Sequence, residues 1–153
     1  MRSLLSMLLL LLSLTMRAQT TDALYDEGKK LYDEKKYELA LKKLLPAAQK
    51  GHKKAQYRVG RCYDKGHGVA EDNAKAFQWY AKAAAQGHAK SQYQLGKCYM
   101  KGKGTTQDTA KAKAYLLKAV NNKKGGDKVL AKLKEDAASG DKDAIAMKKL
   151  IAK

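Results

Sequence analysis

From Leu4 to Leu14 the chain is almost continuously apolar, and beyond that run the apolar residues recur at helical spacing. Ala55, Val59, Cys62 and Tyr63 fall on one stripe, which Gly66 and Gly68 interrupt; glycine tolerates the left-handed backbone that ends helices. Ala76, Phe77, Tyr80, Ala83 and Ala84 form a second stripe, ended by Gly87. Asp72, just ahead of that stripe, has the side chain of a helix N-cap. The pattern predicts two amphipathic helices joined by a glycine-containing turn.

That pair recurs. At an offset of 36 residues Gly60 matches Gly96, Cys62 matches Cys98, Tyr63 matches Tyr99, Gly66 and Gly68 match Gly102 and Gly104, and Asp72 matches Asp108. Ala74-Lys75-Ala76 likewise matches Ala110-Lys111-Ala112. An earlier copy precedes them, with Ala40, Ala47, Ala48 and Gly51 lying 36 before Ala76, Ala83, Ala84 and Gly87, whereas Ala23, Tyr25 and Gly28 lie 32 before Ala55, Tyr57 and Gly60. The first copy therefore has the same two segments with four fewer residues between them, a length change that belongs in a loop. A fixed period of this size is the mark of a stacked-repeat architecture. Gly60 and Gly96, lacking side chains, would let neighbouring helices approach closely.

The residues Ala55, Gly60, Tyr63, Gly66, Gly68, Val69, Asp72, Lys75, Ala76, Trp79, Tyr80, Lys82, Ala83, Ala84 and Gly87 together resemble the pattern of the Sel-one-like repeat family, a relative of the tetratricopeptide repeat. The third copy departs from it at Ser91, Thr105 and Tyr115-Leu116, and the first looks closer to a plain tetratricopeptide repeat. The resemblance implies an all-α fold, an α/α superhelical solenoid of helix-turn-helix repeats, and adaptor or scaffold roles. Some proteins resembling the family are described as binding or hydrolysing β-lactams, but none of that chemistry is visible in these residues. The expected layout is a signal peptide over 1–18 and a repeat domain over 19–153, with copies at about 22–51, 52–87 and 88–123 and capping helices over 127–153, which Gly125-Gly126 set apart.

Composition agrees with helices: Lys, Ala and Leu are abundant, Val and Ile are scarce, and Pro46 is the single proline. Inside an expected helix, Pro46 predicts a kink. Arg2, the run Leu4–Leu14 and Ala18 before Gln19 have the layout of an export signal, so the expected location is the periplasm or outside, in a bacterial, Gram-negative setting. The alternative is an uncleaved anchor, for which the run is short against the roughly 20 residues of a span. Removing Arg2 and Arg17 takes the formal charge from +17 to +15, which favours acidic partners or anionic surfaces.

The candidate site is a basic column. Lys29, Arg61 and Lys97 occupy one repeat position, Lys65 and Lys101 another one turn later, and Arg58 extends the face; Asp33 interrupts it in the first copy. In a solenoid the first helices line the concave surface, so these six residues would form a positive groove for another protein with an acidic segment; the bland alternative is solvated lysine. Tyr25, Tyr57 and Tyr93 stack in register nearby, either as flat contacts for a partner or as packing between repeats. Anionic polymer (polysaccharide, lipopolysaccharide or nucleic acid) and a membrane surface are alternative partners, and no small-molecule substrate or cofactor is expected. Cys62 and Cys98 lie on adjacent first helices, whose axes pack about 8–10 Å apart, too far for a bridge; two reduced thiols are expected over a disulfide. His52, His67 and His88 read as surface turn residues with no metal site among them.

Overall fold

The computed structural model describes the backbone of residues 2–152 and the side chains of 4–10 and 20–152. Eight helices and no strand occur among these: α1 (Arg2–Asp33), α2 (Tyr37–Gln49), α3 (Lys53–Lys65), α4 (Asn73–Ala85), α5 (Ala89–Lys101), α6 (Thr109–Val120), α7 (Gly126–Ala138) and α8 (Lys142–Ala152). Each helix packs chiefly on its neighbours in sequence, from α1 on α2 through to α7 on α8, and α8 also returns to α6. Helices that bury their apolar stripes only against the elements before and after them make a solenoid.

The boundaries follow from local chemistry. Asp72 and Asp108 accept hydrogen bonds from the backbone N–H of Lys75 and Lys111 at 2.9 Å, satisfying donors that the first turns of α4 and α6 leave free. At the ends of α3 and α5, Gly66 (φ 65°) and Gly102 (φ 67°) take the left-handed conformation and donate to the carbonyls of Cys62 and Cys98. Pro46 removes one backbone donor, yet α2 runs on to Gln49.

One packing device is repeated in every copy. A Cβ built on Gly28, Gly60 or Gly96 would stand 2.7, 2.7 or 2.6 Å from the nearest side-chain atom of Leu44, Tyr80 or Leu116 respectively. Those three side chains occupy one repeat position on the second helix, and all are fully buried. Each glycine is thus the slot and each large residue the knob, and burial of such a side chain is worth about 1.5–3 kcal/mol. The third copy keeps the knob although its chemistry changes from Tyr to Leu.

Amides join one copy to the next. Gln86 Nε2 donates to Gly51 O (2.9 Å) and Gln56 Oε1 (2.8 Å), while Gln56 Nε2 donates to Ala48 O (3.1 Å). One repeat later Asn122 Nδ2 donates to Gly87 O (3.0 Å) and Gln92 Oε1 (2.9 Å), and Gln92 Nε2 to Ala84 O (3.4 Å). The carbonyls at the ends of α2 and α4 find their donors there. Beyond the third copy, Leu133, Ala144 and Met147 of α7 and α8 cover Leu116.

Cys62 and Cys98 are buried free thiols in different core clusters, and burial pushes both up to about 11. The histidines correct the sequence expectation of surface turns. His52 and His88 are half-buried N-caps of α3 and α5, and His67 stacks on Tyr37 (3.9 Å, 10°) with Nδ1 hydrogen-bonded to Tyr32 Oη at 3.0 Å. An imidazole is flat and offers two ring nitrogens, which suits it to fill a turn that must both pack and hydrogen-bond. Among the described residues no group of His, Cys, Asp and Glu could hold a metal ion.

At the other end of the molecule, Leu4, Leu5, Met7, Leu8, Leu9 and Leu10 project from α1 with 60–72% of their surface exposed. Among the described residues no helix is long and apolar enough to cross a membrane. The expected cleavage point after Ala18 lies outside the described side chains.

Candidate partner-binding groove

The odd-numbered helices share one face of the stack, and the last turns of α1 with the N-terminal turns of α3, α5 and α7 open onto a groove of about 590 Å³. Lys29 and Tyr25 of α1 form one wall, Lys53, Lys54, Tyr57 and Arg58 of α3 and Ala89 and Lys90 of α5 the middle, and Lys123, Lys124, Gly125, Asp127 and Lys128 the far wall. Gly87 and His88 lie between α4 and α5. Eight of the lining residues are Lys or Arg and one is a carboxylate.

Among the described residues, two of the eight have carboxylate partners. Asp33 accepts from Lys29 at 3.1 Å and from Arg58 at 3.3 Å, and the Lys29 hydrogen bond, with help from Arg58, holds Asp33 below the usual carboxylate range. Among the described residues no carboxylate pairs with Lys53, Lys54, Lys90, Lys123, Lys124 or Lys128; Lys53 Nζ instead donates to Gln86 O at 3.4 Å. His88 adds no charge at neutral pH: burial, with Lys90, Lys53 and Lys54 nearby, brings it down to about 4. Its Nδ1 lies 2.9 Å from Ser91 Oγ, whereas the equivalent His52 Nδ1 accepts from Ala55 N at 3.1 Å. Serine in place of alanine diverts the third copy's cap.

The structure divides the predicted column. Lys29 and Arg58 line the groove with Tyr25 and Tyr57; Arg61, Lys65, Lys97, Lys101 and Tyr93 do not. Arg61 lies over the Tyr32 ring at 5.7 Å and Lys97 over Tyr93 at 6.0 Å. Lys65 pairs with Asp64 at 3.7 Å, and Lys101 pairs with Asp143 of α8. Tyr25 stacks on His52 (4.4 Å), Tyr57 leans on His88 (4.9 Å), and Tyr93 packs into the core beside Leu116 and Ala119. Burial pushes the Tyr93 hydroxyl up to about 12.

Sequence reasoning missed Lys53, Lys54, Lys90, Lys123, Lys124 and Lys128. A signal existed for part of the set, since Lys54 and Lys90 are repeat equivalents, and the position of His52 and His88 is taken by Lys124 in the next register. Of the rest, Lys53 stands beside Lys54 on α3, while Lys123 and Lys128 come from a loop and from α7.

Residues 53–88 and 89–123 match the model of the Sel1 repeat. The chain is a Sel1-repeat α/α solenoid, the class whose repeats generally serve protein–protein interaction. It is similar to the crystal structure of a Sel1 repeat protein from Oxalobacter formigenes, at 34% identity and a TM-score of 0.64, covering 84% of this chain and 54% of that one. It is also similar to a protective antigen present in uropathogenic Escherichia coli strains displaying an SLR fold, at 26% identity and a TM-score of 0.66, covering 89% of this chain and 30% of that one. The chain thus spans about half the length of the first and under a third of the second. No curated protein matches it.

Proposed function

We propose that the protein is an exported adaptor that holds an acidic segment of a partner protein against the face of its odd-numbered helices. The observation that carries this reading is the charge balance of the groove, eight cations to one carboxylate in a recess that the solenoid itself builds. Opposite charge brought into such a cleft is attracted over several ångströms and steered on approach. The role is one of binding and not of catalysis. Export rests on the layout of Arg2, Leu4–Leu14 and Ala18. The location proposed with it is the periplasm or outside the cell.

A second reading, binding of anionic polymer, draws on the lysines scattered outside the groove: among the described residues Lys118, Lys134 and Lys142 are exposed with no ion pair. Capture from a Gram-negative envelope extract separates the two. The adaptor reading expects one protein retained by the full-length chain at high salt. Broad retention of polysaccharide or lipid that high salt abolishes supports the polymer reading in its place. A Lys29→Glu, Arg61→Glu, Lys97→Glu variant then reports on the predicted column, and unchanged capture removes those three residues from the site.

A further inference from the structure

We propose that the groove running from α1 across α3 and α5 to the start of α7 is a docking cleft for an extended acidic peptide, read chiefly by Lys53, Lys54, Lys90, Lys123, Lys124 and Lys128. The inference rests on the adaptor reading and gives it a location that the basic column did not.

Shape and charge both favour a single narrow chain. The cations come from successive elements along the recess, Lys29 from α1, Lys53, Lys54 and Arg58 from α3, Lys90 from α5, and Lys123, Lys124 and Lys128 from the loop before α7 and its start. A planar lipid surface would meet the exposed rim lysines but would not descend to Tyr57 and Arg58, which are half-buried in the middle of the recess. Small residues (Gly87, Ala89 and Gly125) are part of the lining, where a peptide backbone can come close with little side chain in its way. Single-stranded nucleic acid binds by stacking its bases on free aromatic faces beside a basic track. Here the aromatic faces are taken: His52 stacks on Tyr25 at 4.4 Å and 26°, and Tyr57 is covered by His88 at 4.9 Å and Tyr80 at 5.9 Å. What remains is a charged, narrow, partly apolar trough.

The cation type sets the kind of specificity. Seven of the eight groove cations are lysines and one is arginine. Lysine is a point charge on a flexible stem and imposes no bidentate geometry, unlike the guanidinium fork. The cleft therefore reads the density of carboxylates along a peptide and not their arrangement, so an acidic segment and its scrambled sequence bind alike.

The test is fluorescence anisotropy of a labelled oligoglutamate with the full chain, at about 0.05 and 0.3 M salt, on either side of the condition where the Debye length is about 10 Å. Two variants with the same change of net charge are compared. One carries Lys54→Glu, Lys90→Glu and Lys124→Glu in the groove; the other carries Lys118→Glu, Lys134→Glu and Lys142→Glu outside it. All six lysines are exposed, and circular dichroism checks that both variants keep their helices. The expected result is binding at low salt weakened about tenfold or more by the groove substitutions and within about twofold by the others, as charges beyond a Debye length are screened. Equal weakening by both variants overturns the cleft, because binding would then follow net charge. Tighter, groove-dependent binding of single-stranded DNA or of vesicles rich in anionic lipid also overturns it. Envelope-partner capture that the groove variant retains overturns the cleft while leaving the adaptor reading standing. Oligoglutamate binding that behaves as expected, with no protein captured from the envelope, upholds the cleft and removes the adaptor.

Discussion

At the scale of single residues, two positions make demands that their side chains alone do not reveal. Gly96 is surrounded: a Cβ there would stand 2.6 Å from Leu116 Cγ. Gly96→Ala gains helix propensity of about 1 kcal/mol but forces Leu116 out of its slot, at about 1–3 kcal/mol for overpacking. The expected outcome is a net loss of up to about 2 kcal/mol, read as a lower urea midpoint with an unchanged slope. His88 makes the second demand. The unfolded chain takes up a proton at this residue near its ordinary value of 6.5, while the folded chain resists it down to about 4, chiefly through burial. Between those values the unfolded state binds more protons, so stability contributed by neutral His88 is complete above pH 6.5 and is lost as pH falls toward 4. Urea midpoints measured across that window should fall less steeply for His88→Asn than for the unaltered chain. Parallel slopes would mean that His88 titrates in the folded protein as it does in the unfolded one.

At the scale of helices and copies, the repeat is held by contacts that recur at the same period as its sequence. The Gln92–Asn122 pair closes the junction between the second and third copies just as Gln56–Gln86 closes the one before. Gln92 is almost fully buried, so Gln92→Ala leaves Asn122 and the Ala84 carbonyl short of partners and opens a cavity. A loss of about 2–3 kcal/mol is expected from the unsatisfied groups alone. A double-mutant cycle with Asn122→Ala should return a coupling of about 0.5–2 kcal/mol, and additivity of the two substitutions would show that the junction does not depend on the amide bond. The glycine spacing and the Asp72 and Asp108 caps were legible as identities at fixed offsets, whereas the knobs, Leu44, Tyr80 and Leu116, differ in kind. The amides were not read, although Gln56 and Gln92 stand 36 apart, because a polar residue on a helix looks solvated until the neighbouring copy is placed against it.

At the scale of the whole molecule, the stack needs an end. Leu116 is fully buried because Leu133, Ala144 and Met147 of the next layer of the solenoid cover it. A chain shortened to residue 125 uncovers this layer, and a terminal repeat with an apolar outer face is poorly soluble. The shortened chain is expected to melt earlier and to bind a hydrophobic dye, both readable in one thermal scan; an unchanged melting temperature would assign α7 and α8 no capping role. The start of α7 also lines the proposed groove. Removal therefore tests cap and cleft together, which is why the charge variants, and not the truncation, decide the cleft.

The sequence by itself determined the helices, their pairing and the repeat, because each rests on local rules: period-3.6 stripes, glycine at left-handed turns, aspartate at N-caps, and identity at a constant offset. It also set the excess of positive charge. Which charges act together was decided only by the tertiary structure. Lys65 and Lys97 belong to two neighbouring positions of the predicted basic face yet end against Asp64 and Tyr93, whereas Lys54 of α3 and Lys124 of a loop 70 positions away line one groove. Helical periodicity says which side of a helix a lysine occupies. Only the angles at which successive helices stack say what stands opposite it, and those angles come from the glycine slots, the knobs and the buried amides between copies.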